Sequence, residues 1–158
     1  MRIARHGCST ANPSRHGTAV AARIVAGDAD TLYASDLWCG DAVGGATSNL
    51  VDALAWMARE HVAVINISLV GPDNPVLARA VKAMIARGHV LVSAVGNDGP
   101  AAPPLFPAAY PDVIGVSGVD ERDRVLPEAG SGEQVDFCAS GVVGSARNAI
   151  LGTSFAAP

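Results

Sequence analysis

The sequence predicts an α/β fold: a three-layer sandwich with a mostly parallel central sheet between helical layers. A mostly continuous β-branched run, residues 62–68, reads as a strand covered on both faces, and residues 89–95 as another continuous apolar strand. Between and before them lie amphipathic stretches of helical period, joined by short loops, which is the alternation that builds parallel sheets with right-handed crossovers. The 158 residues, 49% hydrophobic and 16% charged, suffice for one domain with a core and are too apolar for a disordered chain.

Each element can be justified in turn. Residues 17–26 are rich in small apolar side chains and stop at Gly27, which predicts a short helix with a glycine cap. Thr31-Leu32-Tyr33-Ala34 predicts a strand, followed by a Gly-rich loop through Gly44-Gly45. From Thr47 onward, Leu50, Leu54 and Met57 recur at helical spacing beside Val51, Ala55 and Ala58, with Asn49, Asp52 and Arg59 facing water. Gly71-Pro72-Asp73-Asn74-Pro75 ends the next strand, and Asn74 can cap a third helix that has Pro75 at its first position. That helix should bury Leu77, Val81 and Ile85 and end at Gly88. Beyond the Pro-rich stretch 100–111, residues 113–119 predict one more strand and 134–139 a weaker one. In such a sheet, chemistry gathers at the carboxyl ends of the strands.

Composition excludes several function classes. The net charge is −4, from 11 Lys+Arg against 15 Asp+Glu, without a block of like charge, so nucleic acid and anionic lipid are not expected partners. No apolar run reaches the roughly 18 residues that span a bilayer. The start of the chain is basic, but residues 9–15 are polar where a secretory signal needs an apolar segment. Cys8, Cys39 and Cys138 are widely spaced and odd in number, and are expected as packed thiols. A zinc set of His6, Cys8, His16 and Cys39 lacks ligand spacing. No Gly-x-Gly-x-x-Gly follows a strand and no Gly-x-x-x-x-Gly-Lys occurs, which argues against a nucleotide-binding domain.

Three short segments fall at strand ends or helix starts. In His16-Gly17-Thr18 a histidine opens a helix beside a small neighbour, although alone such a residue is more often a cap or packing group. In Gly96-Asn97-Asp98-Gly99 an amide would project from the sheet edge, although Asn between glycines is commonly just a turn. In Gly152-Thr153-Ser154-Phe155-Ala156-Ala157-Pro158 a serine starts a helix among small residues that let a carbonyl approach, where a simple cap would look similar.

Together and in this order, the segments resemble the subtilisin-like serine peptidases, whose histidine motif, oxyanion Asn and Gly-Thr-Ser-x-Ala-x-Pro nucleophile motif they match. Leu32-Tyr33-Ala34, residues 64–69, residues 92–97 and Phe106-Pro107-Ala108-Ala109-Tyr110-Pro111 look like the family's successive core strands and loops, so the resemblance runs from Arg15 onward. It implies a partial subtilisin-like peptidase domain over residues 1–158, with 1–15 as a segment without motif, and no cofactor. It implies acyl transfer to Ser154, His16 as general base and then acid, and Asn97 with the Ser154 N–H as oxyanion donors. Ser68-Leu69-Val70-Gly71 and Ala94-Val95-Gly96 resemble the two walls of the primary specificity pocket, and Gly45 its opposite edge. The implied partner is a polypeptide substrate, with a pro-segment or inhibitor as a further one, and the implied location is extracytoplasmic.

The chain departs from the family in two respects. Residues 1–15 contain no Asp or Glu, so the carboxylate that orients the histidine, and the first strand that carries it, are expected to be missing. The sequence also stops four residues past Ser154, without the family's last helices, and little activity is expected of it alone. Asp36, just past a strand end, is the one later acid considered for His16. Residues 26–30 leave little room for a calcium loop, and no metal is expected there. A rival reading is a non-catalytic peptide-binding module, against which the joint presence of His16, Asn97 and Ser154 argues.

Overall fold

The computed structural model describes residues 2–8, 13–25, 31–39, 45–145 and 148–158. In chain order the elements are β1 (Arg2–His6), α1 (Arg15–Ile24), β2 (Thr31–Ser35), α2 (Thr47–Arg59), β3 (Val64–Ile67), α3 (Pro75–Ala86), β4 (Val90–Ala94), β5 (Ile114–Val119), β6 (Phe137–Ser140), β7 (Val142–Val143) and β8 (Ile150–Leu151), followed by a single 3-10 turn, Thr153–Phe155. β3-β4-β5-β6 form one parallel sheet in that order, β1 and β2 form a second parallel pair, and β7-β8 is a short antiparallel hairpin.

Strand alternation decides which face is buried. Ile65, Ile67 and Leu91 point to one side of the sheet and are nearly inaccessible, packed with Leu50, Ala53 and Leu54 of α2 and Leu77, Val81 and Met84 of α3. Val64 and Val90, paired in register on the other side, remain open at 61% and 43% exposure. Toward the carboxyl ends that second face is covered by Ala156 and Ala157, which pack on Ala94 and Val116. The segment after the 3-10 turn thus lies against the strand ends, where the chemistry was expected.

Helix ends follow their cap chemistry. Asn74 Oδ1 accepts the N–H groups of Val76 and Leu77 at 3.0 and 3.2 Å, with Pro75 in the first turn, as the sequence predicts. α1 begins at Arg15, two residues earlier than predicted, because Ser14 Oγ accepts the Gly17 N–H at 2.9 Å. The predicted cap Gly27 lies outside the described residues.

The Tyr110 hydroxyl holds the α3 cap in place. It accepts the Asn74 N–H and donates toward Asn74 O and Asp73 Oδ1, each at 3.0 Å. Burial, and the neighbouring Asp73 carboxylate after it, raise the Tyr110 pKa above its ordinary 10.0. The folded state therefore holds this proton more tightly than the unfolded one. Its contribution is complete below about pH 10 and is lost as pH rises through the folded value. Tyr110→Phe should cost about 1 kcal/mol in urea denaturation at pH 7, because the partly buried Asn74 N–H loses its acceptor. That cost should shrink above about pH 10.

The expectation for the cysteines needs correction, and the structure adds detail to two other readings. Residues 2–6, read as a segment without motif, form β1, which pairs with β2 from Arg2↔Thr31 to His6↔Ser35 and carries no carboxylate. The cysteines are not packed thiols: Cys8 and Cys39 form a disulfide, and Cys138 is free and exposed on β6. The zinc set is thereby dissolved, since two of its ligands are bonded to each other and His6 Nε2 pairs with Asp52 Oδ2 at 2.7 Å.

Candidate active site

Three elements converge where β3 and β4 end. The register Ile67↔Ser93 brings Ser68 and Ala94 out side by side, so the two segments read as pocket walls leave adjacent strands at the same end of the sheet. The first wall is tied at its far end by Gly71, whose N–H donates to Phe106 O at 2.9 Å and whose carbonyl accepts the Phe106 N–H at 3.0 Å. The second wall is backed by Gly130, whose N–H donates to Gly96 O at 3.0 Å. Gly96 has φ 99°, a conformation that favours glycine.

Not every wall residue offers a side chain. Ala94 and Val95 are each about 1% exposed and so present backbone only, while Leu69 is partly buried against the α2–α3 core. Val70 remains 36% exposed. Gly45 lies against Leu37, where a Cβ would meet Leu37 O at 2.8 Å, and so belongs to the β2 end of the molecule.

The third element is the 3-10 turn. The Thr153 N–H donates to Asn97 Oδ1 at 3.0 Å. Only the oxygen of an amide can accept such a bond, so the chemistry fixes the flip of Asn97 and leaves its Nδ2–H₂ free to donate elsewhere. Ser68 fastens the turn from the other side. Its Oγ accepts from Asn66 Nδ2 and donates to Ser154 O, both at 2.9 Å, while Ser154 Oγ donates to Ser68 O at 3.3 Å. Ser154 is partly exposed, between the inaccessible Thr153 and Phe155.

His16 reaches the same place from α1. Its ring lies 5.3 Å from that of Phe155, the residue after Ser154, tilted by 49°. The side chain is exposed, and among the described residues it makes no hydrogen bond with Ser154 or with a carboxylate. Asp36 does not serve it: Asp36 Oδ1 accepts the N–H groups of Trp38 and Cys39 at 3.0 and 3.3 Å. His16, Asn97 and Ser154 therefore share one end of the sheet, and the serine hydroxyl points to a backbone carbonyl. No group of three or more His, Cys, Asp or Glu suited to a metal occurs among the described residues, and residues 26–30 lie outside them.

Sequence reasoning missed Leu105. A Cβ built on Gly96 would stand 2.6 Å from Leu105 Cδ1. The one available signal was its position immediately before Phe106, within a loop already matched to the family.

Comparisons with known proteins bear on the family and the fold. Subtilisin BL of Lederbergia lenta is 30% identical over 166 residues, covering 95% of this chain and 61% of that protein. A thermophilic serine proteinase of Bacillus sp. (strain AK1) is 36% identical over 122 residues, 72% of this chain and 30% of its own. The minor extracellular protease Epr of Bacillus subtilis (strain 168) is 33% identical over 98 residues, 61% of this chain and 15% of its own. The chain thus spans less than two thirds of the length of these relatives. Among solved structures, a cold adapted subtilisin-like serine proteinase superposes with a TM-score of 0.78 at 28% identity, covering 90% of this chain and 56% of that one. The protease domain of PatA superposes with a TM-score of 0.80 at 23% identity, which bears on the fold alone. The subtilase family model matches residues 5–158, and the chain belongs to that family.

Proposed function

We propose that this chain acts as a serine endopeptidase domain that cleaves peptide bonds by acyl transfer through Ser154. His16 takes the Ser154 hydroxyl proton as Oγ attacks the substrate carbonyl, and returns a proton to the leaving amine; water then releases the acyl group by the same route. The developing oxyanion is received by Asn97 Nδ2–H and the Ser154 N–H. The observation that carries this reading is the 3.0 Å bond from Thr153 N–H to Asn97 Oδ1, which makes the nucleophile's turn and the amide one unit and leaves the Nδ2–H₂ donor free. Peptide would lie along the walls 68–71 and 94–96, the place a pro-segment or inhibitor would also take.

Catalysis by the 158-residue chain alone is expected to be weak. An imidazolium forming at His16 has no carboxylate bonded to it among the described residues, and Asp36 is engaged by its own turn. An extracytoplasmic location is supported by the Cys8–Cys39 disulfide and by the likeness to the minor extracellular protease Epr.

The test is covalent labelling with a fluorophosphonate, the adduct mapped by mass spectrometry and Ser154→Ala as control. An adduct on Ser154 that is absent from the variant supports the reading. Labelling that survives the substitution removes Ser154 as nucleophile. A chain that binds peptides in the groove yet never labels is the non-catalytic module instead.

A further inference from the structure

We propose that Leu105, together with Val70, fills the primary specificity pocket and restricts it to substrates with a small side chain, alanine or glycine, on the acyl side of the cleaved bond. This rests on the reading of 68–71 and 94–96 as the pocket walls. A Cβ placed on Gly96 would lie 2.6 Å from Leu105 Cδ1 and 3.7 Å from Val70 Cγ2. That one point stands beside the second wall and within contact of a side chain from the first, so it lies between them. The space next to Gly96 is therefore taken by carbon atoms of this chain.

An entering side chain needs roughly 3.5–4.0 Å from its own carbons to those on either side. A methyl group can sit in the mouth of the slot; a phenyl ring, which must slide between the walls, would collide with Leu105. The leucine is also held in place. The two Gly71–Phe106 backbone bonds fix the residue directly after it to the first wall, and Leu105 O accepts the Ala109 N–H at 3.1 Å. Val70 and Leu105 both remain partly accessible, so each can meet a ligand. An isolated clash in a flexible loop could be relieved by movement, but one tied by bonds on both sides resists it.

The test is binding, which does not depend on turnover. ¹⁵N-labelled protein would be titrated with two acetylated tetrapeptides that differ only in a C-terminal Ala or Phe, and shifts of the amides at 68–71 and 94–97 would be followed. The Ala-ended peptide is expected to bind about ten-fold or more tightly than the Phe-ended one. Leu105→Gly and, independently, Val70→Gly should each bring that ratio to about one or invert it. Because Val70 is 36% exposed in a loop, its variant tests the idea even if Leu105→Gly does not fold. Equal or tighter binding of the Phe-ended peptide by the wild type, or an unmoved ratio in a folded variant, overturns the proposal. Silence of both peptides in every form overturns it too, but through the groove reading beneath it, and is recognised because the Ala-ended peptide fails as well.

Discussion

In the Asn97→Ala variant, acylation of Ser154 by a fluorophosphonate is expected to slow by about 10²–10³-fold, the loss that removal of one oxyanion-hole donor causes in a subtilisin. Two effects of the substitution must be separated. The first is chemical: the free Nδ2–H₂ no longer meets the oxygen on which charge develops, and at 1.4 kcal/mol per decade that alone is about 2.7–4 kcal/mol of barrier. The second is structural: the N–H of Thr153, a residue with no exposed surface, loses the acceptor it has at 3.0 Å, which costs about 1–3 kcal/mol and could tilt the turn. Asn97→Asp distinguishes them. It retains an oxygen for Thr153 and removes the donor, so its thermal midpoint should stay near that of the wild type while labelling is at least as slow as in Asn97→Ala. If the Asp variant labelled at the wild-type rate, the amide would be holding the turn and the oxyanion role would be lost.

What could be read from the sequence, and what could not, divides along the range of the interactions involved. β3 and β4 are legible because each lies in a mostly apolar run of strand length, although Val64 and Val90 leave one face open at its start, and α3 because its cap is written in adjacent residues, Asn74 and Pro75. The three motif segments are legible for the same reason: each is contiguous, and their order along the chain carried the family. β1 is not. Arg2, Ile3, Ala4, Arg5 and His6 have no apolar period, and the strand exists because β2 pairs with it across more than twenty residues of chain. Its last side chain is fixed from elsewhere, His6 stacking on Trp56 at 5.0 Å and bonding Asp52, a pairing of β1 with α2 that no local pattern encodes. Leu105 is of the same kind: the long-range Gly71–Phe106 bridge helps to place it beside Gly96. His16 and Ser154 lie at one end of the sheet, but which partner the serine hydroxyl takes is not legible from residue type, since Ser154 Oγ donates to Ser68 O.

Loss of the Cys8–Cys39 disulfide should have a large and uneven effect. The register His6↔Ser35 sends both chains out at the same end of the β1–β2 pair, so Cys8 and Cys39 meet although 31 residues separate them. Closing a loop of that length is worth about 3–4 kcal/mol in the chain-entropy account. The closed loop contains α1, and α1 buries only Val20 of its own length. Among the described residues, this unit is held to the rest by Arg23 donating to Val142 O, His16 on Phe155, His6 on Trp56 and Asp52, Tyr33 on Trp56, Asn49 Nδ2 donating to Leu37 O, and Leu37 in the main core. Among the described residues, it is Leu37 that joins this unit to the α2–α3 core around Leu91. Cys8→Ser/Cys39→Ser is therefore expected to free α1 before it unfolds the sheet. Hydrogen exchange should rise across residues 15–24 and stay near wild type in β3, β4 and β5. Labelling of Ser154 should slow as well, because His16 travels with the released helix while Asn97 and Ser154 stay fastened to each other. If exchange rose equally in α1 and β4, the bridge would be stabilising the whole fold, and the histidine would not be singled out by it.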